Sequence, residues 1–150
     1  MLMVNRRQAK RVGQLSQLRK AEAAAAATEL RASLQEYDKA AAACDQQAEL
    51  RDQAESTWRQ LVQARHPDTG LAQLAGVWLL HHQRELEAEQ LNLAIFGNRL
   101  ALMRGKYSQA LAKESAVEKI SEKVYFGIAK YLDEVQSWNL IDAALWSWDK

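Results

Sequence analysis

The chain has 150 residues, a length that suits a single domain. Its 20 lysines and arginines nearly balance 19 aspartates and glutamates, and a formal net charge of +1 at pH 7 points to no class of partner. One proline, six glycines and two phenylalanines argue against a β-rich or loop-rich domain. The abundant residues are alanine, leucine, glutamate, glutamine, lysine and arginine, which favour helices. We therefore expect an all-α fold.

Three features of the sequence bear on the cellular compartment in which the protein is expected. A single cysteine, Cys44, cannot form an internal disulfide, which suits a reducing environment. The opening MLMV is too short for the apolar part of a signal peptide. The longest apolar stretch, residues 71–80, has about half the length that spans a bilayer. These features predict a cytoplasmic protein that does not insert directly into a membrane.

The first twenty residues are strongly basic. Their charged side chains are Arg6, Arg7, Lys10, Arg11, Arg19 and Lys20. The first acidic residue is Glu22. Such a segment could neutralise the phosphates of a nucleic acid or dock on an acidic protein. No aromatic residues stand between these charges, so we favour the protein; an ordinary solvated helix end explains the segment as well as either.

The first predicted helix covers about residues 3–64. Apolar residues recur in it with steps of three and four, which is typical of a coiled-coil seam. The predicted seam residues are Leu30, Leu34, Tyr37, Ala41, Cys44 and Ala48, followed after a one-residue slip by Ala54, Trp58 and Leu61. We interpret Cys44 as a small packing residue and not as a nucleophile.

A turn is predicted at residues 65–70, RHPDTG, which contain the only proline of the chain. Trp58 and Trp78 lie at similar distances before and after it. Two interpretations are open for this pair. We favour packing of the two rings on each other, which would close the tip of a hairpin; the alternative is a binding patch for a partner.

The second predicted helix covers about residues 71–147. Its predicted seam crosses Glu114 and consists of Leu93, Phe96, Leu100, Met103, Tyr107, Ala110, Val117, Ile120, Val124, Ile128, Tyr131, Val135, Trp138 and Leu145. A second apolar row, with Leu91, Ile95 and Leu102, lies off this seam. It either widens the core or binds another molecule.

Two long helices joined by one short turn predict a single domain, a long antiparallel two-helix coiled-coil hairpin. Folding near residue 67 places residue n opposite about residue 135 − n. Nothing is then left to face residues 138–148, which contain Trp138, Trp146 and Trp148. Uncovered apolar surface commonly marks a contact site. We expect these tryptophans to bind a partner; a second copy of the chain or the segment MLMV are the alternatives.

Groups suited to catalysis are few. His81 and Glu85 stand four residues apart and could share a helix face as metal ligands, but no third ligand stands at helical spacing. A solvated polar face is the simpler interpretation. The glycines are scattered singly, without a phosphate-binding loop. We therefore expect a protein without enzymatic activity, metal or cofactor.

The chain resembles the FliJ/YscO family of type III secretion and flagellar export. The resemblance lies in the length, the basic start, the single long hairpin and residues 112–134, AKESAVEKISEKVYFGIAKYLDE. That segment is similar to the family's second-helix pattern, an E-K-x-x-E-K segment followed about a dozen residues later by an acidic pair. The matching residues are Glu118, Lys119, Glu122 and Lys123, then Asp133 and Glu134.

This resemblance implies a non-enzymatic central stalk in the cytoplasm, peripheral to the inner-membrane export apparatus of a flagellum or a virulence secretion system. Such a stalk inserts into a hexameric export ATPase, contacts the cytoplasmic domain of the export gate and in some members binds export chaperones. By this analogy the residues at the ATPase would be Arg6, Arg7, Lys10, Arg11, Trp138, Trp146 and Trp148. The alternatives are a self-associating coiled-coil adaptor and, less favoured, a nucleic-acid-binding protein that uses the basic start.

Overall fold

The computed structural model describes the backbone of residues 2–148 and the side chains of residues 6–147. It contains two helices, α1 (Leu2–Val62) and α2 (Thr69–Trp148). The predicted all-α two-helix hairpin is confirmed, and each predicted helix end lies within two residues of the observed one. The chain divides into two compact units, one of residues 27–106 and one of residues 1–26 and 107–150.

The start of α2 is fixed by Asp68. Its Oδ1 accepts hydrogen bonds from the backbone N–H groups of Gly70 (2.9 Å) and Leu71 (3.2 Å), and its carbonyl accepts one from Ala72 (2.9 Å). An aspartate in this position satisfies N–H groups that the first helical turn leaves free. For this reason α2 begins at Thr69 and includes Gly70, which the sequence had placed in the turn.

In the unit of residues 27–106, the buried side chains of α1 are small and those of α2 are large. Ser33 and Ala40 are buried on α1, and Leu86 and Leu100 are buried on α2. Leucines against small residues allow two helices to approach closely, as in a knobs-into-holes seam. The predicted seam position of Leu100 is confirmed.

The pairing of the helices in this unit follows the predicted rule that residue n faces about residue 135 − n. Arg99 Nη1 lies 3.2 Å from Glu36 Oε2. A Cβ atom placed on Gly97 would lie 3.5 Å from Tyr37 Cε2. These two contacts confirm the predicted register of the hairpin near its middle.

The seam of α1 differs from the prediction in its details. Ser33 and Ala40 are buried where Leu34 and Ala41 were expected, and Leu34 is 41% exposed. The buried and half-buried seam residues run without a slip through Leu30, Ser33, Tyr37, Ala40, Cys44, Gln47, Arg51, Ala54, Trp58 and Leu61. The predicted slip was wrong because polar residues occupy three seam positions, Ser33, Gln47 and Arg51, so the apolar pattern shifted to neighbouring residues such as Leu34 and Ala48.

Polar groups in the seam of this unit are incompletely paired. Gln47 Oε1, Arg51 Nε and His82 Nδ1 are buried and have no hydrogen-bond partner among the described residues. Arg51 Nε still lies 3.0 Å from Asp52 Oδ1, an ion-pair distance without hydrogen-bond geometry. Such groups lower the stability of a seam, and a polar seam residue can help to specify register.

In the unit of residues 1–26 and 107–150, Ala23 and Val117 are buried. Glu114 is half-buried on the seam as predicted. Ser121 takes the seam position assigned to Ile120, which is 51% exposed. Half-buried residues continue in steps of three and four to Val135, and every residue from 136 to 147 is exposed.

Candidate protein-binding surfaces

The end of α2 forms an exposed apolar surface, which we name the C-terminal surface. It consists of Trp138, Leu140, Ile141, Leu145 and Trp146. Their exposed fractions run from 50% at Ile141 to 78% at Trp146. Trp148 belongs to α2, but its side chain lies outside the described residues. A concentration of exposed aromatic and aliphatic residues is characteristic of contact sites.

The C-terminal surface continues the heptad register of the seam. Val135 is the last half-buried seam residue, and the same spacing leads to Trp138, Asp142 and Leu145. Asp142 is the one charged residue between positions 136 and 147. The seam therefore extends into a segment that the described residues of α1 leave uncovered.

The serine hydroxyl groups of this segment are bonded within the helix. Ser137 Oγ donates to the carbonyl of Asp133 at 2.9 Å, and Ser147 Oγ donates to the carbonyl of Ala144 at 2.8 Å. Hydroxyl groups bonded back to the helix present less polarity to a partner. The apolar side chains thus dominate the chemistry of the C-terminal surface.

The basic start of α1 belongs to the same compact unit as the C-terminal surface. Arg6, Arg7, Lys10 and Arg11 are all exposed. None of the ion pairs among the described residues includes any of these four. Their charge is therefore available to an acidic partner, and the predicted role of these residues stays a prediction.

The tryptophans near the turn have different surroundings. Trp58 is half-buried, and its Nε1 lies 3.5 Å from the place of a Cβ on Gly76. Trp78 is 54% exposed, stacks on His82 at 5.8 Å and meets His81 edge-on at 5.9 Å. The favoured packing of the two rings on each other is absent from the ring contacts of the described residues, because Trp58 faces the glycine and Trp78 lies over its own helix.

An apolar cavity of about 300 Å³ opens beside Trp78. Residues of both helices line it, among them Ala54, Leu61, Leu71, Leu74, Ala75 and Trp78. Leu71 and Leu74 are more than half exposed. The sequence interpretation overlooked both, although the steps from Leu71 to Leu74 and Trp78 are the signal that could have found them. The interpretation of the tip as a binding patch therefore stays open.

The polar groups do not assemble into a metal site within the described part of the chain, where no cluster of three or more histidine, cysteine, aspartate or glutamate side chains is found. The His81 ring lies 5.4 Å from that of His82, next to Trp78. Cys44 is half-buried on the seam. No helix, over its described residues, has a stretch long and apolar enough to cross a membrane.

The fold and these surfaces define an all-α helical hairpin with an exposed apolar end. No family model, curated protein or solved structure matches the chain.

Proposed function

We propose that this chain is a non-enzymatic coupling protein that binds a partner protein through the C-terminal surface. One observation carries the proposal: the seam register of α2 passes beyond Val135 into Trp138 and Leu145, which are 67% and 64% exposed. Burying a large apolar side chain stabilises a contact by about 1.5–3 kcal/mol. A helix with apolar residues in this spacing can lie in a groove of a partner or pack against another helix.

The identity of the exposed residues supports a binding role. Tryptophan is among the residues that most often dominate the energy of an interface, because its large rigid ring fills a pocket of the partner. Trp138 and Trp146 are both more than two-thirds exposed in a segment with a single charge. Removing such water-exposed apolar area from solvent by contact with an apolar surface of a partner lowers the free energy of the complex.

The resemblance suggests the export ATPase hexamer of a type III secretion apparatus as the partner. The cytoplasmic domain of the export gate and export chaperones are the further partners. The four exposed basic residues in the same compact unit would meet an acidic region near the apolar site of the partner. Complementary charges of this kind speed and orient docking. In this role the chain would act as a stalk and raise ATPase activity by favouring one conformation of the hexamer.

The proposal is tested by measuring the affinity of the cognate export ATPase for the Leu145→Asp variant by calorimetry. Loss of an anchor residue often costs about 2 kcal/mol or more, so the dissociation constant should rise about 30-fold or more. Leu18→Asp is the matched control, since Leu18 is 53% exposed on α1 in the same compact unit. It should bind like the wild type.

Equal affinities of Leu145→Asp and the wild type would contradict the proposal. A different result would favour the self-associating adaptor: Leu145→Asp would convert a dimer into a monomer and leave ATPase binding intact. Sedimentation of the same two variants distinguishes these outcomes.

A further inference from the structure

A second exposed apolar row follows α2 within the unit of residues 27–106. We name it the outer row, and it consists of Leu74, Val77, Ala88, Leu91, Ile95 and Leu102. Its five large residues are between 55% and 68% exposed. The sequence alternative that Leu91, Ile95 and Leu102 widen the core is therefore wrong. They face away from the packed seam.

The outer row has a heptad register of its own. Steps of three and four lead along it from Leu74 to Leu102, with His81, Arg84 and Asn98 filling the remaining positions. Ala88 and Leu102 each stand two residues after the buried seam residues Leu86 and Leu100. A sustained heptad row is what a helix presents to a partner helix. Helix α2 can therefore pack with α1 and with a further helix at the same time.

The charges along the outer row change sign from one side of its centre to the other. On one side of the centre the row and its flanks carry Arg84, Glu85 and Glu87, which leaves one net negative charge, and on the other side they carry Arg99 and Lys106 and no acidic residue. Leu91 and Ile95 lie between the two groups. A helix with this distribution is complementary in charge to a second copy of itself that runs in the opposite direction.

We propose that two copies of the chain pair antiparallel along the outer row, with residue n of one copy opposite residue 186 − n of the other. This register places Leu91 against Ile95 of the second copy, and the two-fold symmetry repeats the contact. Ala94 lies on the flank at the centre, where its small side chain permits close approach. The pairing is separate from the proposed function, because it uses neither the C-terminal surface nor the basic start.

Opposite charges reinforce the same register. In this register Arg99 of one copy lies opposite residue 87 of the other, two residues from Glu85. Both side chains, Glu85 and Arg99, are exposed. Arg99 Nη1 is 3.2 Å from Glu36 Oε2, but both partners of that pair are about half exposed. An exposed pair of this kind contributes little stability. Arg99 can therefore turn toward a second carboxylate at small cost.

The test is sedimentation equilibrium over a range of protein concentrations. The wild-type chain should show a monomer–dimer equilibrium. The double variant Leu91→Asp/Ile95→Asp should stay monomeric throughout and keep the helical circular dichroism of the wild type, because both positions are exposed. Leu18→Asp, which lies outside the outer row, should dimerise like the wild type.

A charge exchange tests the antiparallel register. Glu85→Arg and Arg99→Glu should each weaken the dimer, and the variant with both changes should recover it. The proposal is overturned by a wild type that is monomeric at all concentrations, by a double aspartate variant that still dimerises, or by a failed charge exchange. It is also overturned if Leu145→Asp abolishes the dimer, because the C-terminal surface would then hold the two copies together.

Discussion

At the scale of single residues, burial is confined to a few positions of the described chain. They are Ala23, Ser33 and Ala40 on α1 and Leu86, Leu100 and Val117 on α2. No large side chain is fully buried among the described residues, since two helices can cover each other on one side only. Each buried leucine therefore contributes a large share of the stabilising apolar contact, about 1.5–3 kcal/mol.

Leu100→Asp should unfold most of the hairpin or lower its stability strongly. Leu100 is 5% exposed, and the substitution leaves a carboxylate among apolar groups without a partner. We expect a loss beyond the roughly 2–5 kcal/mol typical of truncating a buried leucine to alanine. Urea unfolding followed by circular dichroism measures it.

The matched control for this variant is Leu145→Asp, the same exchange at a residue that is 64% exposed. Its unfolding free energy should stay within about 0.5 kcal/mol of the wild type. If both variants unfold at the wild-type urea concentration, Leu100 does not lie on the seam.

Sequence reasoning placed Leu100 on the seam correctly, and it missed Leu86, Ser33 and Ala40, which are also buried. The 3–4 spacing of apolar residues led correctly to Leu100, because a leucine in such a row is a strong signal. The same criterion chose Leu34 over Ser33, since hydrophobicity alone cannot show that a position requires a small side chain. Serine at a buried seam position becomes understandable only when the opposing helix is known to supply leucines.

At the scale of the elements, α2 carries more than one apolar face. Its seam packs on α1, its outer row is exposed in the unit of residues 27–106, and its end forms the C-terminal surface. A helix that is apolar on several sides is expected to be covered on several sides. This distribution explains why both proposed contacts involve α2.

Two single replacements of alanine by leucine on α1 test which residues lie on the seam. Ala40 is buried and Ala42 is exposed, although they lie in one run of alanines. Ala40→Leu should destabilise the hairpin by about 1–3 kcal/mol, because the added atoms overpack the seam. Ala42→Leu should change stability by no more than about 0.5 kcal/mol. Thermal unfolding compares the two; equal melting temperatures would show that the register is wrong.

The bounds of the helices and the pairing of α1 with α2 were largely predictable, whereas the seam positions of α1 were predicted only in part. The only proline lies at position 67, so the sequence located the turn. The start of α2 depended on the Asp68 cap, a local hydrogen-bond arrangement that the sequence interpretation did not consider. The predicted seam positions already departed from the observed ones at Ser33 and Ala40 and departed again at Gln47, because small and polar residues at seam positions weaken the apolar periodic signal.

At the scale of the whole molecule, the two proposed contacts belong to different compact units. The C-terminal surface and the basic start lie in one unit, and the outer row lies in the other. The sequence indicated the C-terminal surface because the second helix is longer than the first. It indicated only part of the outer row, since His81 and Arg84 interrupt the row and the exposure of Leu91 and Ile95 is known from the structure.

We propose that the C-terminal surface serves binding and not folding. The most direct measurement takes one chain lacking residues 139–150 and determines both its free energy of unfolding and its affinity for the cognate export ATPase. We predict an unfolding free energy within about 0.5 kcal/mol of the full chain and a loss of ATPase binding. A truncated chain that is strongly destabilised, or that binds the ATPase as tightly as the full chain, would contradict this role of the C-terminal surface.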